Sequence, residues 1–217
     1  ALFPYYTDDK ITESADITGS KSIFQINKGG ETILWEPFSE RFNDRYQISR
    51  NLYKNKYGNK VVFEEILHDL DLVFRYQWSS SNRFGFVRTA TLINQSDSHL
   101  DINILDGIQN IVPFGVGSDL QNSTSNLVDA YKRSELESTA GLGIYALSAI
   151  IVDKAEPSEA LEANIAWSVG MESPLHLLSS MQLPALRKQQ KIHAETDVKG
   201  EKGAYFISKN IVLDAKG

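Results

Sequence analysis

Apolar and polar positions alternate most clearly between Phe84 and Pro113. Phe86, Arg88, Ala90 and Leu92 interleave with Val87, Thr89, Thr91 and Ile93, the period of two that a strand between two layers requires. Asn94 to Asp97 follows with turn chemistry, because Asn, Ser and Asp side chains bond to nearby backbone and Asn tolerates left-handed dihedrals. Leu100, Ile102, Ile104 and Leu105 resume the apolar pattern. The stretch predicts two long strands joined by a polar turn, with Leu92 and Ile104 facing the core.

The remaining pattern extends this reading. Residues 1–20 are polar with a few aromatics, including Phe3, Tyr5 and Tyr6, and are expected to form an arm. Lys21–Asn27 and Thr32–Trp35 predict a hairpin closed at Gly29-Gly30, since glycine reaches positive φ freely. Arg41–Leu52 has no clear period and is read as a connection with a short strand at Tyr46–Ile48. Lys60–Leu67 and Leu70–Trp78 predict two further strands rich in β-branched and aromatic residues, before a break at Ser79–Asn82.

Beyond Pro113 the pattern changes. Leu127, Ala130, Tyr131 and Leu136 predict a helix over Ser123–Ser138, and Gly141–Asp153 predicts a strand buried on both faces. Ala155–Glu162 reads as a connector and Ala163–Val169 as a strand. Pro174–Gln190 predicts a helical crossover interrupted by Pro184, and Ala204–Leu213 predicts a last strand. Helices are few and late, so the expected fold is mainly β, with antiparallel sheet packed on sheet and one or two short helices.

Composition narrows the function classes. The 217 residues suffice for one substantial core, and no window approaches the ~18 uninterrupted apolar residues of a membrane helix. A net charge of −6 argues against nucleic acid as a partner, and the run Arg187–Lys191 reads as a solvated helix face. With no cysteine, disulfides, thiolate metal sites and cysteine nucleophiles are excluded. The first residues lack a signal-peptide pattern, and a start without Met leads us to expect a fragment of a longer protein.

Several short motifs imitate chemistry. Gly141-Leu142-Gly143-Ile144-Tyr145-Ala146 matches a dinucleotide fingerprint by letter, but a helix precedes and a strand follows it, the reverse of what pyrophosphate binding needs. Asp69 and Asp71, and Glu65 with His68, imitate metal ligands, yet strand residues three apart diverge, so no metal site is expected. His68, His99, His176 and His193 lie far apart, and no Gly-x-Ser-x-Gly elbow exists. Trp35, Trp78 and Trp167 fit strands, where core packing with one bonded N–H competes with a sugar-stacking role. Sequons at Asn94 and Asn122 matter only for a secreted eukaryotic chain.

The runs RTATLINQSDSHLDINILDGIQNIVPFGV, LEANIAWSVGMESPLHLLSSMQLPALRKQQ and KGEKGAYFISKNIVL together resemble the N-terminal, galactose-mutarotase-like β-supersandwich domain of bacterial carbohydrate-active enzymes. The cellobiose-phosphorylase and glucoamylase-like families are the type. The resemblance covers about residues 84–213 and implies one β-supersandwich domain over 21–217. It also implies that catalytic residues lie in a following α/α toroid domain of the same protein, so none is expected in this chain. An oligosaccharide or sugar becomes the expected ligand, without cofactor, and a homodimer is among the states it allows. Asp106, Gln109 and Asn110, where the second strand of the central stretch is interrupted, and Trp78 are the residues expected to contact substrate or a neighbouring domain. The competing readings are an aldose-epimerase-like enzyme, using His68, His99 or His176 with Glu64 or Glu65, and a carbohydrate-binding module using an exposed Trp.

Overall fold

The computed structural model describes residues 3, 14–117, 119–120, 125–149 and 160–217. Most of the expected N-terminal arm, the Asn122 sequon, the end of the 141–153 strand and the connector up to residue 159 lie outside these residues. The protein is mainly β, with three antiparallel sheets and, among the described residues, only two short α-helices, consistent with the expected β-sandwich. The strands are β1 (Gly19–Lys28), β2 (Glu31–Trp35), β3 (Ile48–Lys54), β4 (Lys60–Leu67), β5 (Leu72–Ser81), β6 (Gly85–Asn94), β7 (Leu100–Ile111), β8 (Lys132–Glu137), β9 (Leu142–Leu147), β10 (Asn164–Ala166), β11 (Leu175–Leu177), β12 (Asp197–Lys199) and β13 (Gly203–Leu213). The helices are α1 (Ser125–Tyr131) and α2 (Leu183–Arg187). The sheets run in the orders β11-β13-β7-β1-β2, β10-β9-β8-β12 and β3-β4-β5-β6. The chain divides into two compact units, residues 1–22 with 104–209 and residues 23–103 with 210–217.

In the unit of residues 23–103 and 210–217, the first hairpin forms as expected. Lys28 pairs with Glu31, so Gly29 and Gly30 alone make the turn, both at positive φ. Such a turn matches the twist of the flanking strands. Phe24 of β1, Trp35 of β2 and Phe74 of β5 then meet, with ring centroids 5.1–6.5 Å apart, and all three are buried. This aromatic cluster packs the first hairpin against the β3–β6 meander. β4 spans the predicted residues, whereas β3 begins at Ile48, the last residue of the strand expected over Tyr46–Ile48, and runs to Lys54. β3 is an edge strand exposed along nearly its whole length, so it lacks the apolar alternation that would have marked it.

The two strands of the central stretch do not pair with each other. β6 belongs to the meander and β7 to the five-stranded sheet, so Asn94 to Leu100 is a corner between sheets. Fully buried Asn94 holds that corner. Its Nδ2 donates to the carbonyls of Ser98 and Asp214 at 2.8 and 2.9 Å, and its Oδ1 accepts from Ser96 N and Oγ. Ile104 is buried as expected, whereas Leu92, near the end of edge strand β6, is only half-buried.

In the unit of residues 1–22 and 104–209, Ile111, Tyr145 and Tyr205 form a buried cluster. Tyr145 Oη donates to the Ala204 carbonyl at 2.7 Å and Tyr205 Oη to the Gly141 carbonyl at 2.6 Å. Gly143 is glycine because a Cβ there would lie 2.7 Å from Tyr145 Oη and 2.8 Å from the Tyr205 ring. The glycine motif therefore serves ring packing in a β8–β9 hairpin, and the element before it is a strand rather than the helix expected. The helix predicted over 123–138 ends at Tyr131, and Lys132–Glu137 instead pairs with β9 from Lys132↔Leu147 to Glu137↔Leu142. Seven residues form a marginal helix, and strand pairing captures the rest. Its buried residue is Val128, while Leu127 is exposed. Pro174–Gln190 holds β11 and then α2, and Pro184 opens α2 rather than interrupting it, since the first helical turn needs no proline N–H.

One close approach gives a sharp test. A Cβ on Gly107 of β7 would sit 2.0 Å from the Tyr205 carbonyl oxygen and 2.9 Å from Phe206 Cα, which are backbone atoms that cannot rotate away. Gly107→Ala is expected to destabilise the protein by about 3 kcal/mol or more, as severe overpacking does. Ile104→Ala should cost about 2–5 kcal/mol, while Leu92→Ala should stay below about 2 kcal/mol because less surface is lost. Urea unfolding of the three variants checks the order.

Candidate functional site

β4 places two consecutive carboxylates on opposite faces of the meander, because side chains alternate along a strand. Both are almost fully buried. Glu65 points toward the aromatic cluster, where it accepts from Trp35 Nε1 at 2.8 Å, the Phe38 backbone N–H at 2.8 Å and Arg50 Nε at 2.7 Å. Trp35 is thus a core tryptophan with its N–H satisfied. Glu64 points to the other face, where it accepts from Asn51 Nδ2 at 2.8 Å, Tyr53 Oη at 3.0 Å and Arg75 Nε. Burial alone would raise the Glu64 pKa. The hydrogen bonds from Asn51, Arg75 and Tyr53 and the arginine charge outweigh that effect and hold it below the ordinary 4.5. The same carboxylate raises the pKa of the Tyr53 phenol, chiefly by accepting its proton in a hydrogen bond.

Beside this network lies a depression of about 410 Å³ lined by Tyr53, Val62, Arg75, Gln77, Thr89 and Thr91. The register explains how four strands build it. Tyr53 is opposite Val62, Val62 opposite Gln77, and Gln77 opposite Thr89, which makes one row across the sheet. Arg75 and Thr91 form the next row, in which Glu64 sits between Asn51 and Arg75. The floor therefore offers an amide, two hydroxyls, an aromatic edge and a guanidinium whose direction is set by a buried carboxylate. This donor and acceptor set suits a hydroxyl-rich ligand bound through hydrogen bonds.

The residues predicted to make contacts lie elsewhere. Gln109 and Asn110 are buried at the end of β7, beside the turn at residues 14–18. Gln109 donates to the Asp16 carbonyl at 2.8 Å and accepts from Ser180 Oγ at 3.0 Å. Asn110, in left-handed backbone at φ 58°, donates to Thr18 Oγ1 at 2.9 Å. Asp106 accepts from Ser22 Oγ at 2.5 Å. All three belong to the first unit. Trp78 belongs to the other, on β5, half-buried and opposite Arg88, on the face away from Gln77.

Among the described residues, no histidine is hydrogen-bonded to Glu64 or Glu65. His68 Nε2 is 2.8 Å from Ser49 Oγ, and His176 packs beside Tyr205 and Gly141, where burial lowers its pKa. The partners of Glu64 and Glu65 are amides, a phenol, an indole and arginines rather than imidazoles. Asp69 accepts from the Gln47 N–H and thereby ties the 3-10 turn His68–Leu70 to the start of β3. Among the described residues no group of three or more His, Asp or Glu could hold a metal ion. Trp167 lies just past β10 and is exposed. No family model matches the chain, and no curated protein is significantly similar to it.

A lowered carboxylate pKa fixes the sign of a pH effect. The stabilisation from Glu64 is fully present above its unfolded pKa and disappears as pH falls through the lower folded value. Glu64→Gln should therefore be less stable than the parent at neutral pH and lose less melting temperature between about pH 5 and pH 3. Equal acid slopes for the two proteins in thermal scans would contradict this assignment.

Proposed function

We propose that this chain is a non-catalytic β-sandwich domain of a carbohydrate-active enzyme, which braces a helical catalytic domain of the same protein and contributes a sugar-contacting surface. The β3–β6 depression carries the reading. Its rows of Tyr53, Gln77, Thr89, Thr91 and Arg75 present the fixed donors and acceptors that sugar hydroxyls need, with a tyrosine edge against the ring. The resemblance of residues 84–213 to the supersandwich domains of cellobiose-phosphorylase-like enzymes supports the class of ligand. Asp106, Gln109 and Asn110 then belong to the framework, as their bonds to Ser22, Asp16 and Thr18 indicate. Fold analogy alone carries no function, so the site bears the argument.

Isothermal titration of the 217-residue chain against a panel of neutral and charged oligosaccharides is the direct test. Binding is expected to weaken by about tenfold in Tyr53→Ala and in Gln77→Ala, each removing one or two contacts worth about 1 kcal/mol or more; melting temperature should be unchanged in Gln77→Ala and fall in Tyr53→Ala, which also loses its bond to Glu64. No heat from any saccharide would overturn the reading. The bracing role is read separately, from the parent reading frame, which should continue into a long α-helical region.

A further inference from the structure

The net charge of −6 conceals a strong segregation. Residues 45–63 and 72–96, which supply all of β3, β5 and β6, half of β4 and two hairpin turns, contain eight lysines and arginines and no aspartate or glutamate. The remaining chain sets fourteen of the 22 basic residues against all 28 acidic ones. The two acidic residues on the meander strands, Glu64 and Glu65, are buried and already bonded to Arg75 and Arg50. Lys54, Lys56, Lys60, Arg83 and Arg88 lie at one end of the sheet, where the β3–β4 turn at residues 55–59 and the β5–β6 turn at residues 82–84 are side by side; Lys60 shares the face of the depression, whereas Lys54 and Arg88 belong to the opposite face.

The same end exposes rings. Tyr57, at the tip of one turn, is 81% exposed, and Phe84, in the other, is 52% exposed. Lys56 lies over the Tyr57 ring and Arg83 over the Phe84 ring, at 5.7 and 5.2 Å from the centroids. Tyr53, which lines the depression, is on the strand that leads into the first tip. Exposed aromatic faces beside cations, continuous with a hydroxyl-binding floor, fit a chain of sugar rings that carries negative groups.

We propose that the saccharide bound by this face is anionic, a uronate or sulfated chain that runs from the depression over Tyr53 to the two hairpin tips. The proposal rests on the sugar-binding reading of the depression. A glycan fits better than a nucleic acid or an anionic membrane because the rest of the chain carries twice as many acidic residues as basic ones. That acidic excess would repel an extended polyphosphate or a charged plane, whereas a short anionic chain feels only the charges within about 8–10 Å.

The test uses the 217-residue chain and two matched pairs of probes, oligogalacturonate with its neutral methyl ester and dextran sulfate with dextran. Titration calorimetry should show at least one charged member bound tenfold or more tightly than its neutral counterpart. That preference should weaken as salt rises from about 50 to 300 mM, as screening requires. The triple variant Lys56→Glu, Lys60→Glu, Arg83→Glu should lose it, while Tyr57→Ala with Phe84→Ala should weaken both members of the pair; all five positions are exposed, and unchanged thermal melts show that the fold is intact. Equal affinity within both pairs would overturn the anionic assignment and leave the sugar-binding reading standing. Silence with every saccharide would remove both. Comparable affinity for duplex DNA or for phosphatidylserine vesicles would overturn the glycan assignment in favour of a general polyanion surface.

Discussion

The buried carboxylate of Glu65 is the interaction on which the second unit depends. It satisfies the Trp35 indole, the Phe38 amide and the Arg50 guanidinium together. Leaving the buried Trp35 N–H without a partner costs about 1–3 kcal/mol, and stranding the buried Glu65 charge costs more. The bond also fixes the orientation of the indole around which Phe24 and Phe74 pack. One ionic centre in an aromatic layer thus sets the spacing between two sheets, and apolar contacts fill in around it.

Its neighbour Glu64 does for the opposite face what Glu65 does for the core. A single strand residue step separates a structural anion from one that organises a surface. Because Glu64 holds Arg75, Asn51 and Tyr53 in place, the depression is ordered by the fold itself, which would reduce the entropy cost of binding the proposed ligand. Stability and recognition are therefore coupled through β4, and changes made to improve either will be felt by the other.

Much of the sheet framework was legible as alternation. The Gly29-Gly30 hairpin, β4 and β13 follow directly from period-two patterns and turn residues. β3 was not, since an exposed edge strand obeys no burial pattern. The β8 segment was read as helix because Leu127, Ala130, Tyr131 and Leu136 are spaced for one; the competing partner, β9, lies further along the chain. Gln109 and Asn110 look like interruptions in a strand, as binding residues do, and only the fold shows that their amides meet Asp16, Ser180 and Thr18. The depression was invisible for a related reason. Tyr53, Val62, Gln77 and Thr89 become one row through strand register, and register is a property of pairs of strands.

The meander ends in β3 on one side and β6 on the other, and both leave backbone N–H and carbonyl groups at an open sheet edge. Such edges invite strand addition by another copy of the chain and are a common origin of aggregation. Lys54 on β3 and Arg88 on β6 place positive charges where two identical edges would have to meet. Cationic side chains at a sheet end would therefore also oppose polymerisation through that sheet, and neutralising them would be expected to shorten the protein's life in concentrated solution.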